Sequence, residues 1–154
     1  MTQSGKLILL ATLGSLGSLL AALYFQYVVG LAPCPLCIWQ RWPHLAAVLI
    51  GLGLVVLGWR WLTLAGAAAC LTTAGIGAWH YGIEQKWWRG PDSCTGNSLA
   101  GVSASDLLNP AADVGAVVRC DEIAWSLMGI SMPGWNVILS LCLAMVWIAA
   151  WRRA

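Results

Sequence analysis

The chain has 154 residues, of which 60% are hydrophobic and 9% are charged, whereas soluble proteins carry about 25% charged residues. This composition excludes disordered proteins, secreted cysteine scaffolds and nucleic-acid-binding proteins. It predicts a membrane protein. Because a helix needs about 20 residues to cross a bilayer, the chain has room for four or five spans and for no second domain.

Apolar stretches predict four transmembrane helices, at approximately residues 7–29, 39–59, 61–83 and 132–151, in a single membrane domain over residues 1–154. Runs such as LTLAGAAACL do not alternate between apolar and polar residues, which excludes a β-barrel. The first stretch has no convincing signal-peptide cleavage site and is expected to remain as a span. Small residues at helical spacing, among them Gly14 and Gly66, predict close helix approach. The predicted fold is an all-α four-helix bundle.

The distribution of charge orients this bundle. All acidic residues lie in the connection between spans three and four: Glu84, Asp92, Asp106, Asp113, Asp121 and Glu122. The two termini and the connection between spans two and three carry only basic residues: Lys6, Arg60, Arg152 and Arg153. By the positive-inside rule both termini are expected in the cytoplasm, with the short loop 30–38 and the large loop 84–131 on the outer side.

The first outer loop contains the sequence Cys34-Pro35-Leu36-Cys37, followed by the second span. Two cysteines three residues apart at a helix start suit redox exchange, because the unpaired amides of the first turn stabilise a thiolate. The alternatives are a permanent staple of the turn or half of a metal site. A staple would gain little stability, since a short loop has few conformations to lose.

The second span continues with Arg41, which follows Cys37 by four residues and therefore lies on the same helix face. Arg41 places a positive charge near the outer end of the span, where the positive-inside rule does not favour one. We therefore interpret Arg41 as a functional residue that stabilises an anion beside it. Pro43 is expected to bend the helix between Arg41 and His44.

Three further ionisable groups are expected near the outer rim, namely His44 on span two and His80 and Glu84 at the end of span three. They could exchange protons with a quinone, which takes up two protons with two electrons. Alternatively, the histidines are interfacial residues whose polar tips reach water.

The second outer loop contains Cys94 and Cys120. Four cysteines in an oxidising compartment indicate two bridges, and a tetrathiolate zinc site is the rival interpretation. Cys70 and Cys142 lie inside spans and are expected to be buried and inert. The tryptophans predict interfacial belts, with Trp59, Trp61, Trp147 and Trp151 at the inner boundary.

The stretches PCPLCIWQR, GPDSCTG, RCDEIAW and GISMPGWN, in this order over nearly the whole chain, resemble the disulfide bond formation protein B (DsbB) family of bacterial inner membranes. The resemblance implies a thiol oxidase that reoxidises a soluble periplasmic DsbA-type dithiol oxidase and passes the electrons to a membrane quinone, either ubiquinone or menaquinone.

The resemblance also implies a role for each cysteine. Cys94 would form the mixed disulfide with the partner, Cys120 would be its bridge partner, and the Cys34–Cys37 pair would reoxidise that bridge. Cys37 would be the thiolate beside the quinone ring, next to Arg41. The family often has a pocket histidine near the end of span three, and the spacing leaves His80, Tyr81 and Glu84 as candidates for that position.

Three other functions compete with this interpretation. The chain could be a paralogue of the same fold dedicated to one partner, a membrane protein that binds copper or zinc through its outer thiols, or a purely structural subunit.

Overall fold

The computed structural model describes residues 2–91 and 118–153. It contains the helices α1 (Gln3–Tyr27), α2 (Pro35–Leu57), α3 (Leu62–Glu84) and α4 (Met132–Arg152). All four are long and apolar enough to cross a membrane. The predicted all-α membrane fold with four spanning helices is therefore confirmed, while the orientation of the termini and of the second loop stays a prediction.

The first two helices begin earlier than predicted because their first turns are capped. The Thr2 hydroxyl accepts the N–H of Gly5 at 3.1 Å, and α1 begins at Gln3. Pro35 occupies the first turn of α2, where a missing N–H has no cost. The helix continues through Pro43.

A short antiparallel hairpin that the sequence analysis did not predict leads into α4. It consists of β1 (Ser126–Leu127) and β2 (Ile130–Ser131), with Leu127 paired to Ile130. Gly129 between the strands has a φ of 78°, a left-handed conformation that glycine adopts readily. The hairpin sets the position of Ser131, which precedes the first turn of α4.

The helices form a closed ring in which α1 packs against α2, α2 against α3, α3 against α4 and α4 against α1. The apolar core contains mostly small residues: Ala11, Ala47, Leu54, Ala67, Cys70, Leu143, Ala144 and Trp147. A Cβ atom added to Gly14 would lie 2.5 Å from a Leu143 methyl group. Close approach at the predicted small residues is therefore confirmed for the contact between α1 and α4.

Trp147 was predicted to belong to the tryptophan belt at the inner membrane boundary, and the burial of its side chain contradicts a place in that belt. Its side chain has 0% exposure and lies in the core. A Cβ atom added to Gly66 of α3 would lie 2.7 Å from the indole ring. The large ring is therefore accommodated because α3 has no side chain at that position.

The two cysteines within the spans differ in environment. Cys70 has 0% exposure and lies 4.0 Å from the Ser15 hydroxyl, which confirms the expectation of a buried thiol. Cys142 is exposed, so the same expectation is wrong for this residue. It shares the outward face of α4 with Ile138, Leu141 and Met145, which are also exposed and occupy helical spacing.

Candidate functional site

The Cys34–Cys37 pair lies at the beginning of α2, where the sequence predicts it. Cys34 is the N-cap residue, and its sulfur accepts the backbone N–H of Cys37 at 3.2 Å. The two sulfur atoms are 2.9 Å apart, compared with about 2.05 Å in a disulfide. The structure therefore shows a hydrogen-bonded dithiol.

Cys34 is the hydrogen-bond donor of this pair. The bond to Cys37, together with burial, raises the pKa of the Cys34 thiol above its ordinary value. The sulfur of Cys37 accepts this hydrogen bond and lies in the first turn of α2, near the positive end of the helix dipole. Negative charge on the dithiol is therefore best accommodated on Cys37.

Arg41 lies one helical turn after Cys37 and connects α2 to α1. Its Nη1 donates to Oε1 of Gln26 at 2.6 Å. Its Nε is buried and has no hydrogen-bond partner among the described residues. The guanidinium thus places a positive charge on the Cys37 face and retains a donor that could bind an acceptor oxygen.

His80 of α3 is the candidate that the structure brings to the dithiol. Its imidazole is 2% exposed, and its Nε2 lies 3.6 Å from the sulfur of Cys34. Glu84 lies one turn further, with Oε1 3.9 Å from the same nitrogen, and accepts a hydrogen bond from the Ser131 hydroxyl. Tyr81 packs edge-on against the ring of Trp87 at 5.8 Å.

His44 lies in the interior of the bundle and is 2% exposed. Its Nε2 lies 2.9 Å from Oδ1 of Asn136 on α4. Asn136 in turn donates to Oε1 of Gln40 at 2.8 Å, and Nε2 of Gln40 lies 3.0 Å from Nδ1 of His80. Within the described residues, these two amides connect His44 to His80 and so to the dithiol.

Gln40 and Asn136 are site residues that the sequence analysis missed. Each is an uncharged polar residue inside an apolar span, and each has a polar residue four positions later on the same helix face, His44 and Ser140 respectively. Polar residues are costly in the membrane interior and usually find partners in the bundle. That spacing is the signal that could have identified them.

Cys120 lies in the same buried cluster as Cys34, together with Leu36 and Ile83. Its side chain has 0% exposure, and its backbone lies beside the His80 imidazole. The structure thus brings one cysteine of the second outer loop to the dithiol. Cys94, its predicted bridge partner, lies outside the described residues.

Lys86, just beyond α3, attaches the Cys120 segment to the end of this helix through Asp121, and Arg119 of the same segment binds the Asp121 carboxylate as well. Nζ of Lys86 donates to the backbone oxygen of Asp121 at 2.7 Å and to its Oδ2 at 2.8 Å, and Arg119 donates to the same carboxylate at 3.0 and 2.9 Å. The hydrogen bonds from Arg119 and Lys86 hold the pKa of Asp121 well below its usual range. Asp121 therefore stays ionised across the physiological pH range.

The site also has a set of ligands suited to a soft cation. One ligand atom each from Cys34, Cys37 and His80 lies within 4.8 Å of the other two. Thiolate and imidazole are the usual zinc ligands. Metal binding is one of the alternatives that the sequence leaves open, and this cluster is the observation that favours it.

Comparison with known proteins identifies the family. The family model "Disulfide bond formation protein DsbB" matches residues 4–150. The chain belongs to the DsbB family. Relatives named "Disulfide bond formation protein B" include one from Verminephrobacter eiseniae, 35% identical over 96% of this chain and 86% of the relative, and one from Albidiferax ferrireducens, 33% identical over 96% and 90%. No solved structure matches the chain.

Membership of the DsbB family makes the protein a membrane disulfide oxidoreductase. The four spanning helices agree with a multi-pass protein of the bacterial inner membrane. The resemblance noted in the sequence is thereby confirmed.

Proposed function

We propose that this protein reoxidises a periplasmic DsbA-type dithiol oxidase and passes the electrons to a membrane quinone. The observation that carries this proposal is the burial of Cys34 and Cys120 in one cluster, with Cys37 hydrogen-bonded to Cys34. Disulfide exchange needs direct contact between sulfur atoms. We therefore propose that Cys120 attacks Cys34 without a large rearrangement of the described residues.

The proposed exchange proceeds by thiolate attack, and each step forms one S–S bond and breaks one. Cys94 receives the electrons of the partner through a mixed disulfide, and the Cys94–Cys120 bond breaks. The Cys120 thiolate then attacks Cys34 of the oxidised Cys34–Cys37 pair, and the electron pair of the broken bond remains on Cys37. The second thiolate of the partner attacks the partner sulfur of the mixed disulfide, which releases the oxidised partner and leaves Cys94 as a thiolate. Cys94 then attacks Cys120, which restores the Cys94–Cys120 bridge and leaves a thiolate on Cys34.

The residues around Cys37 fit a quinone. The buried Nε of Arg41, which has no partner within the described ranges, would donate to a quinone oxygen, and Cys37 would face the ring. The quinone, ubiquinone or menaquinone, would accept two electrons and two protons. Arg41 also stabilises the thiolate of Cys37 before transfer.

The remaining rim residues are proposed to manage protons and hydrogen bonds. Glu84, between the Ser131 hydroxyl and the His80 imidazole, is placed to exchange a proton with the quinone site. His80 contacts Cys34 directly, and His44 supports it through the amides of Asn136 and Gln40. The redox cysteines are proposed to face the periplasm, where the partner resides.

The test is a reconstituted assay with the full chain in detergent, a reduced DsbA-type partner and a soluble quinone. We expect quinone absorbance to fall at a rate that Cys37→Ser abolishes. Cys142→Ser, which removes a thiol on the outward face of α4, is the matched control and should retain the full rate. An intact protein that leaves the quinone unchanged would contradict the proposal.

Metal binding is the second candidate function, because Cys34, Cys37 and His80 are close enough to share a cation. It predicts stoichiometric zinc or copper after purification under mild reducing conditions. It also predicts that His80→Gln lowers the metal content of the purified protein. A protein whose function is metal binding would not need oxidase activity in its metal-free form.

A further inference from the structure

A continuous chain of hydrogen bonds connects the core of the bundle to the dithiol. The chain begins at Nε2 of His44, which lies 2.9 Å from Oδ1 of Asn136, and Nδ2 of Asn136 lies 2.8 Å from Oε1 of Gln40. Nε2 of Gln40 then lies 3.0 Å from Nδ1 of His80. The last contact joins Nε2 of His80 to the sulfur of Cys34 at 3.6 Å. The members come from α2, α3 and α4. The direction of each hydrogen bond decides what His80 can do to Cys34.

The two amide groups in this chain are oriented by backbone carbonyls. Gln40 Nε2 lies 3.2 Å from the carbonyl of Leu36, and Asn136 Nδ2 lies 3.5 Å from the carbonyl of Thr73. A carbonyl oxygen only accepts hydrogen bonds, so the amide end that faces it must be the NH₂ group. Gln40 therefore presents N–H to His80, and Asn136 presents its oxygen to His44.

These orientations determine the tautomer of His80. Because Gln40 donates to Nδ1, that nitrogen must hold a lone pair, and the single proton of the neutral ring lies on Nε2. The Nε2–H group faces the sulfur of Cys34. Oε1 of Glu84 lies 3.9 Å from the same Nε2, so the neutral ring with its proton on Nε2 suits both neighbours, whereas a proton on Nδ1 would meet the N–H of Gln40.

The same reasoning applies to His44 at the other end of the chain. Its Nε2 faces the oxygen of Asn136 and therefore carries the proton. Its Nδ1 has no hydrogen-bond partner in the described part of the protein. Every donor in the chain consequently points toward the dithiol, an arrangement in which each bond strengthens the next by polarisation.

We propose that Gln40 and Asn136 are positioning residues that fix His80 in the Nε2–H tautomer, which makes His80 a hydrogen-bond donor to the Cys34 sulfur and excludes it as a base. The proposal rests on the proposed function for the step concerned. When Cys94 attacks Cys120, the Cys94–Cys120 bond forms, the Cys34–Cys120 bond breaks, and the electron pair stays on Cys34. No proton moves, and the His80 N–H stabilises the departing thiolate.

This tautomer also separates the two candidate functions of the site. A metal ion held by Cys34, Cys37 and His80 would need the lone pair of Nε2. The amide of Gln40 directs that lone pair to Nδ1 instead. The hydrogen-bonded chain therefore favours disulfide exchange over metal binding at the same three residues.

The test is ¹⁵N NMR of the full chain, labelled only at histidine and reduced, in detergent micelles. The protein has two histidines, and the variant His44→Asn assigns their signals. We expect Nδ1 of His80 in the range of an unprotonated ring nitrogen and Nε2 in the range of a protonated one. An Nδ1–H tautomer or an imidazolium at neutral pH would overturn the proposal.

Gln40→Glu provides the matched variant, since a carboxylate still accepts from Asn136 but can no longer donate to His80. We expect the Nδ1 signal of His80 to move into the protonated range, while His44, whose Nε2 still faces Oδ1 of Asn136, keeps its Nε2–H tautomer. An unaltered His80 tautomer in this variant would also overturn the proposal. The spectra of the intact protein decide the question even if the variant does not fold, and they do not depend on quinone reduction.

Discussion

Single residues decide how closely the helices of this DsbB family member approach one another. Gly66 lies against the indole of Trp147, and Trp147 has 0% exposure. In a membrane the association of helices depends mainly on van der Waals contact and on interhelical hydrogen bonds. A single methyl group at such a contact is therefore expected to have a large effect.

We expect Gly66→Ala to destabilise the bundle by about 1–3 kcal/mol, because its Cβ would lie 2.7 Å from the Trp147 ring. The measurement is unfolding in mixed micelles. Gly75→Ala is the control on the same helix, since a Cβ there would meet no described atom within 4 Å. Its effect should be neutral or stabilising by up to about 1 kcal/mol. Equal losses in both variants would contradict the close contact.

The sequence identifies only some of the residues that form the site and the core. Cys34, Cys37 and Arg41 could be identified because their spacing along one helix determines their geometry. Gln40 and Asn136, which lie 96 positions apart in the sequence, could not be paired, because hydropathy does not tell which helix faces meet. The burial of Trp147 was missed for the same reason.

At the scale of elements, the connection after α3 decides where Cys120 lies. Lys86, immediately beyond the end of α3, adopts a left-handed φ of 61° and donates to Asp121. Such a conformation is uncommon in residues other than glycine. Backbone hydrogen bonds from Lys86 to Ile83 at 3.0 Å and from Trp87 to Gly82 at 2.9 Å close the turn, and the side chain of Lys86 then holds the segment that carries Cys120.

We expect Asp121→Asn to expose Cys120, which is otherwise fully buried. The measurement is the rate of alkylation of Cys120 in the reduced protein, followed by mass spectrometry, and the rate should rise several-fold. Glu122→Gln is the control, because that side chain is 68% exposed and contacts only the Arg119 edge of the cluster. Equal rates in Asp121→Asn and in the unaltered protein would show that the ion pairs do not hold the segment.

The lowered pKa of Asp121 adds a pH dependence with a definite sign. A carboxyl group whose pKa is depressed in the folded state contributes stability above its ordinary pKa of about 3.9 and loses it as the pH falls toward the lowered value. Alkylation of Cys120, corrected for thiolate fraction, should therefore be constant from pH 8 to about pH 5. A rise within that interval would contradict the contribution of Asp121.

At the scale of the whole molecule, one end of the bundle carries the redox groups. This end contains the last turns of α1 and α3 and the first turns of α2 and α4. The up-and-down order of the helices therefore brings together the dithiol, His80 and the Cys120 segment. The four spans could be predicted from hydropathy, because each is long and apolar. The hairpin before α4 could not, since strands of two residues leave no periodic pattern.

The sidedness of this end can be measured directly. The starting protein has all six cysteines replaced by serine, and one cysteine is then introduced at a time. Lys6→Cys and Arg153→Cys test the two termini, and Ala32→Cys tests the loop between α1 and α2. Because the positive-inside rule places both termini in the cytoplasm, an impermeant maleimide should label Ala32→Cys in intact cells and the other two only after permeabilisation. Labelling of Lys6→Cys in intact cells would reverse the orientation.

Cys120 is proposed to exchange electrons directly with Cys34. The double variant Cys37→Ser and Cys94→Ser removes both thiols that could resolve a bond between them. After mild oxidation, we expect peptide mapping under non-reducing conditions to find a Cys34–Cys120 disulfide in most molecules, because both side chains share one buried cluster. If Cys34 stays open to alkylation, or Cys120 pairs instead with Cys142, the proposed route of electrons is contradicted.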